Sequence, residues 1–307
     1  MEKKRVECLD IAKALLIMMM VLGHIFLEGP VRRFVYVFHM PAFLVISGIQ
    51  FRYSSALKKS FWPFLKSRIY ALLIPFLFFE AVGVGYHILC FGNQLNIFGY
   101  AYNTLTQNWN NGAVGFLIHL FGAELIMYLV LKYVQSAHVK TLISALLFGV
   151  AFLLPQDFQS ILRIIFIYSA FGIIGYNYYY KVKQSNLLLV VTLLIVIGVA
   201  FFGLYVGDCF GHPVKTLIYL IGSIAGSYFV LCVSMLIHDC KWLSFYGKNT
   251  ITVLGTHNAI LFPIRRFLFP DTVGFVGVLV FLIIMILEIP IILFLNRFCP
   301  FLIGKRR

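Results

Sequence analysis

Long apolar runs recur along almost the whole chain, and polar residues collect in short segments between them. Many of these runs reach ~18–22 residues, enough to cross ~30 Å of hydrocarbon as helix. The short alternating segments of a transmembrane barrel are not what the pattern offers. It predicts ten helical spans, at residues 8–28, 34–51, 69–91, 114–131, 141–154, 161–180, 187–206, 217–237, 250–269 and 275–296, the fifth being the shortest. The expected fold is an all-α polytopic membrane protein, a bundle of about ten transmembrane helices in one integral-membrane domain over residues 1–307.

Composition sharpens this picture. The chain is 61% hydrophobic and 12% charged, against roughly 25% charged residues in soluble domains, so it cannot coat itself against water on every side. Its net charge of +14 is spread in small clusters between apolar runs. That arrangement fits topology and anionic headgroups rather than nucleic acid. With MEKKR placed in the cytoplasm, segments 1–7, 52–68, 132–140, 181–186, 238–249 and 297–307 hold eighteen of the 25 Lys and Arg. The other side holds six, Arg32, Arg33, Arg163, Lys215, Arg265 and Arg266, and Lys13 lies within a span. The positive-inside rule therefore predicts an even number of spans with both termini cytoplasmic. The first segment resembles a signal peptide, but Asp10 and Lys13 interrupt it and GPVRR stands where a cleavage motif would, so an uncleaved first helix is expected. Six scattered cysteines suit packing rather than a disulfide framework or zinc, and no metal is expected.

The longest external loop, FGNQLNIFGYAYNTLTQNWNNG (91–112), carries amides and aromatics but no charge. Such residues suit contacts with carbohydrate; they also suit an ordinary membrane-interface loop. No internal repeat of the kind found in inverted-repeat transporters is visible.

A polar stripe marks the first span. Eleven residues make about three helical turns, so Lys13 and His24 share a face, some ~16 Å apart along the axis. Asp10 and Glu28 fall close to the same face, which reads Asp10, Lys13, Ile17, Met20, His24, Glu28. Ionisable groups in a bilayer normally face a bundle interior or an aqueous cavity. His39 precedes Met40-Pro41 in the second span, where the proline allows a kink. Glu80, Glu124, Glu288, His257 and Asn258 also lie inside spans. Each suits either pairing with a neighbouring helix or a functional site. Together they imply proton handling, charged-ligand binding, or both.

The segments CLDIAKALLIMMMVLGH (8–24), FHMPAFLVISGIQF (38–51), FLKSRIYALLIPF (64–76), FLIHLFGAELI (116–126), YSAFGIIGY (168–176), LSFYGKNTITVLGTHN (243–258) and NRFCPFLIG (296–304) resemble, in order, those of the acyltransferase-3 family. The resemblance runs end to end. It implies a membrane O-acyltransferase of the cytoplasmic (inner) membrane, with acetyl-CoA as acyl donor and a cell-surface carbohydrate or polysaccharide, or its lipid-linked precursor, as acceptor. The family's motif of a basic residue, ten residues, then histidine falls on Lys13 and His24. Its Arg-x-x-Arg pair falls on Arg68-Ile69-Tyr70-Ala71, where the second basic residue is missing, which shifts donor-phosphate binding toward Lys66 and Lys13.

On this reading Lys13, Arg68 and Lys66 are the donor-binding candidates, the arginine able to grip phosphate bidentately. His24 is the general base that takes the acceptor's hydroxyl proton, a role suited to an imidazole near its ordinary pKa. A covalent acyl-histidine relay stays open. His39 and Glu124 are candidates to orient the base or the acceptor, and Arg163, His257 and Asn258 to bind the acceptor. A secondary transporter or flippase for a sugar-lipid or organic acid would use the same buried charges. Acetyl transfer by the solubilised protein separates the two readings.

Overall fold

A computed structural model describes residues 2–92, 96–105, 108–154, 161–183, 185–203, 212–237 and 239–305. Its α-helices are α1 (Glu2–Ile25), α2 (Pro30–Tyr36), α3 (His39–Tyr53), α4 (Phe61–Arg68), α5 (Ile74–Phe91), α6 (Ile97–Leu105), α7 (Gly115–Tyr133), α8 (Ala137–Leu153), α9 (Ile161–Asn177), α10 (Asn186–Gly198), α11 (His212–Ile237), α12 (Lys241–Gly247), α13 (Thr250–Phe267) and α14 (Gly274–Phe298). No strand occurs among the described residues.

Eight stretches among these residues are long and apolar enough to cross a membrane: Glu7–Ile25, Pro30–Tyr53, Phe61–Cys90, Gly112–Tyr133, Ile161–Lys181, Asn186–Gly203, Val214–Ile237 and Gly274–Phe298. The chain is thus a multi-pass membrane protein. The expected spans at 141–154 and 250–269 are not among the eight. α8 is apolar but has 17 residues, and α13 carries Thr250, Thr252, Thr256, His257, Asn258, Arg265 and Arg266 in its 18.

The helices group into two compact units, 1–58 with 123–248 and 59–122 with 249–307. In the first, α3 packs on α9, α9 on α8, α10 on α11, and α1 on α12, α11, α2 and α3. Glycine sets the closest crossing. A Cβ at Gly48 would collide with the Gly172 carbonyl and one at Gly175 with the Val45 carbonyl, so the α3 and α9 backbones touch. Small residues permit this approach where bilayer-embedded helices must gain their stability from packing.

In the second unit α13 packs on α5 and α14. α4 runs into α5 through a π-helical turn, Ile69–Leu73, in which the Ile74 N–H bonds the Ile69 carbonyl five residues back. Pro75 follows directly. It has no N–H to give and would press on a carbonyl one turn earlier, so the widened turn absorbs the misfit.

Candidate active site

α1 carries much of the polar face its periodicity predicts. Lys13 Nζ lies 2.8 Å from Asp10 Oδ1, an ion pair one turn apart. α12 closes over the acid, since a Cβ at Gly247 would collide with the Asp10 carbonyl. Ile17 and Met20, next along the face, are 1% and 3% exposed, so this face turns into the protein, not toward lipid. His24 is half-buried in the last turn. Glu28 leaves the stripe: α1 stops at Ile25, and the acid stands exposed just before Gly29. Gly29 holds φ at 91°, a conformation that favours glycine, and Pro30 starts α2 where its missing N–H costs nothing.

The second span breaks at Val37–Phe38 and not at Pro41. Pro41 is the third residue of α3, where no intrahelical donor is needed. A break exposes carbonyls, and both are answered. The Val37 carbonyl accepts from Ser223 Oγ of α11 at 2.8 Å. The Val35 carbonyl accepts from His39 Nδ1 at 2.9 Å. A carbonyl can only accept, so the His39 ring carries its proton on Nδ1 and, when neutral, presents Nε2 as an acceptor. His39 is buried and lies within electrostatic reach of His24. Tyr36 joins the two helices. Its ring lies over Gly23, where a Cβ would come within 2.7 Å of it, and its centroid is 5.0 Å from that of His39. Arg32 stacks on the same ring at 4.7 Å.

Beside this pair opens a cavity of about 420 Å³ whose walls include Tyr36, Pro41, Phe152, Arg163, Tyr219 and Ser223. Apart from the Arg163 guanidinium and a few hydroxyls, the walls are apolar. A volume of this order suits a small ligand. The sequence-predicted Arg163 thus lines the same cavity as Tyr36, which touches His39. Glu124 sits elsewhere in the unit: it is buried and accepts from Ser47 Oγ at 2.8 Å. Ser47 is eight residues beyond His39, ~12 Å further along α3.

In the second unit the buried carboxylate of Glu80 gathers the end of the loop 91–112. Oε2 accepts from Asn110 N (3.0 Å), Asn110 Nδ2 (3.0 Å) and Thr104 Oγ1 (3.3 Å), and Oε1 from Asn111 N (3.0 Å). Asn111 is fully buried. Its Nδ2 donates to the Gly255 carbonyl at 2.8 Å, and its Oδ1 accepts from Asn258 Nδ2 at 3.2 Å. The amides of Asn110, Asn111 and Asn258 are thus bonded within the protein at this end of the loop; residues 93–95, 106 and 107 lie outside the described set. His257 is buried with Nδ1 on the Val253 carbonyl at 2.8 Å, and Thr256 Oγ1 meets Glu288 at 2.8 Å.

Lys66 and Arg68 occupy the last turn of α4; Lys66 is exposed, and Arg68 lies 5.6 Å from the Phe64 ring centroid. Ala71, where the second basic residue of the pair is missing, has its backbone against Gly304. The next residue, Lys305, bonds Asn249 Oδ1 at 2.6 Å and Asn296 Oδ1 at 2.7 Å, and its carbonyl accepts from Tyr70 at 3.3 Å. The tail thus brings a cation beside Tyr70 and Ala71 that the sequence reading did not single out. Tyr36 and Ser223 were also missed. Pro41 implied that the Val37 carbonyl needed another donor, but nothing in the sequence says which.

A family model described as an acyltransferase domain matches residues 6–297. No curated protein and no solved structure matches the chain.

Proposed function

The chain belongs to the acyltransferase-3 family, and from that premise we propose that it moves an acetyl group from acetyl-CoA to a sugar hydroxyl of a cell-surface polysaccharide or its lipid-linked precursor. It would work in the cytoplasmic membrane with both termini inside. The observation that carries this reading is that His24 and His39 lie within electrostatic reach of each other, while Tyr36, whose ring centroid is 5.0 Å from that of His39, lines one cavity with Arg163.

His24 acts as general base. As the acceptor oxygen bonds to the thioester carbonyl carbon, the hydroxyl proton passes to the imidazole. The tetrahedral intermediate collapses, the C–S bond breaks, and the imidazolium returns the proton to the departing thiolate. His39, with its Nδ1 proton committed to Val35, offers Nε2 to orient the base or the acceptor. Arg163 gives the cavity one positive end, suited to an anionic or strongly polar part of the acceptor.

The donor-phosphate candidates are Lys13 in the first unit and, in the second, Lys66 and Arg68, where Lys305 adds a cation next to the incomplete basic pair. Lys13 starts from its ion pair with Asp10, so phosphate competes with that carboxylate for the ammonium.

The purified protein should transfer labelled acetyl from acetyl-CoA to a sugar acceptor, and the surface glycan should lose an acetyl-sized mass when the protein is removed. His24→Gln should slow transfer by about 10²–10⁴. Normal transfer by a correctly inserted His24→Gln protein sinks the base assignment. Vectorial uptake of a sugar-lipid or acid with no donor present sinks the enzyme reading as a whole.

A further inference from the structure

At the end of the first unit where α3 and α9 finish and α8 begins, cations gather around the tyrosines of YNYYY (176–180). The Arg52 guanidinium lies 3.6 Å from the Tyr180 ring centroid and 5.0 Å from that of Tyr176, and it reaches the Tyr176 carbonyl at 3.4 Å. Lys140 Nζ lies 5.0 Å from the same Tyr176 centroid. Lys181 stacks on Tyr180 at 5.5 Å.

Lys140 is the unusual member. It is 7% exposed, and among the described residues no carboxylate and no hydrogen-bond acceptor pairs with its ammonium. Three influences disfavour a cation there. Burial strips part of the water from it. It falls in the first turn of α8, whose N-terminus is the positive end of the helix dipole. Its charged neighbour, Arg52, has the same sign. Helix C-termini account for Arg52, in the last turn of α3, and for Lys132, in the last turn of α7. They do not account for Lys140.

We propose that Arg52, Lys140 and the Tyr176 ring they share form a binding site for a phosphate group. Arg52 acts electrostatically on Lys140 and both cations contact the Tyr176 ring, which places two positive charges where a single anion can face both. The arginine supplies a planar fork for two phosphate oxygens and the lysine a point charge. The positive-inside pattern of the sequence assigns this end to the cytoplasm, where two phosphates are on hand: the nucleotide end of a soluble donor and the headgroup of an anionic phospholipid.

Thermal unfolding of the full chain separates these sources. In phosphatidylcholine nanodiscs, adenosine 3′,5′-bisphosphate is titrated in; in a second arm, the nanodiscs contain phosphatidylglycerol instead. A midpoint raised by the nucleotide in the parent and raised less in Arg52→Gln assigns the site to a soluble phosphate, and one raised by the lipid alone with the same dependence on Arg52 assigns it to a headgroup. Whichever anion acts should bind Arg52→Gln and Lys140→Met about 10–100-fold more weakly. Arg52 is exposed, so its variant carries the test where the buried substitution fails to fold. The proposal is overturned if the parent protein responds to neither anion, or if the variants respond as the parent does. In the second case the anion is binding at another set of cations.

Discussion

Replacing Glu80 by glutamine changes one atom in four bonds, and the structure says which bond is lost. The carboxylate accepts three donors on Oε2 and one, the Asn111 amide, on Oε1. A glutamine can hold its oxygen at only one of these places. It keeps most by taking the Oε2 position, which turns its NH₂ group toward the Asn111 N–H, two donors face to face in a buried site. The cost is one hydrogen bond to a charged group, about 1.5–3 kcal/mol, with part of the desolvation penalty of an unanswered amide on top. We expect about 2–4 kcal/mol against local opening. Each 1.4 kcal/mol is tenfold in an equilibrium, so amide exchange across residues 108–114 should quicken by roughly 30- to 700-fold if opening precedes exchange. Mass spectrometry of peptides from that segment reads this directly, with peptides from α9 as internal control. Unchanged exchange at 108–114 would refute the view that Glu80 clamps the loop.

Gly48→Ala puts a methyl group into the Gly172 carbonyl, and since neither backbone can yield without parting α3 from α9, we expect destabilisation of about 1–3 kcal/mol, read as a lowered unfolding midpoint in detergent. Asp10→Asn frees the Lys13 ammonium from a pair whose acid is buried, so KM for acetyl-CoA should fall with kcat unchanged, and a raised KM would contradict a donor role for Lys13. Ser223→Ala leaves the buried Val37 carbonyl without its donor and should cost about 1–3 kcal/mol, loosening the α2–α3 break and lowering transfer along with the melting midpoint.

The shared face of Lys13 and His24 was legible because helical period is a local property, and Ile17 and Met20 between them are buried as that face requires. Glu28 was misplaced because periodicity does not say where a helix stops; the Gly29-Pro30 pair does. The break before His39 shows a further limit. Pro41 announced a disturbance, but the Val37 carbonyl it leaves without a helical donor is answered by Ser223, 186 residues from Val37. Glu80, Asn258 and Lys140 were unreadable as to role for the same reason. Glu80 and Asn258 are satisfied by residues 24 to 147 positions distant, and Lys140 acquires its neighbours only when α3, α8 and α9 converge.

The loop 91–112 also sets terms for anyone engineering this protein. Its midsection is the short helix α6, where Phe98 and Tyr102 stand outward at 89% and 66% exposure; an affinity tag or antibody epitope grafted there has room. At Asn110 and Asn111, five and six residues past the end of α6, the same stretch of chain becomes interior fittings. An insertion at that place would land inside the protein, and a screen of tag positions would record it as failure to express.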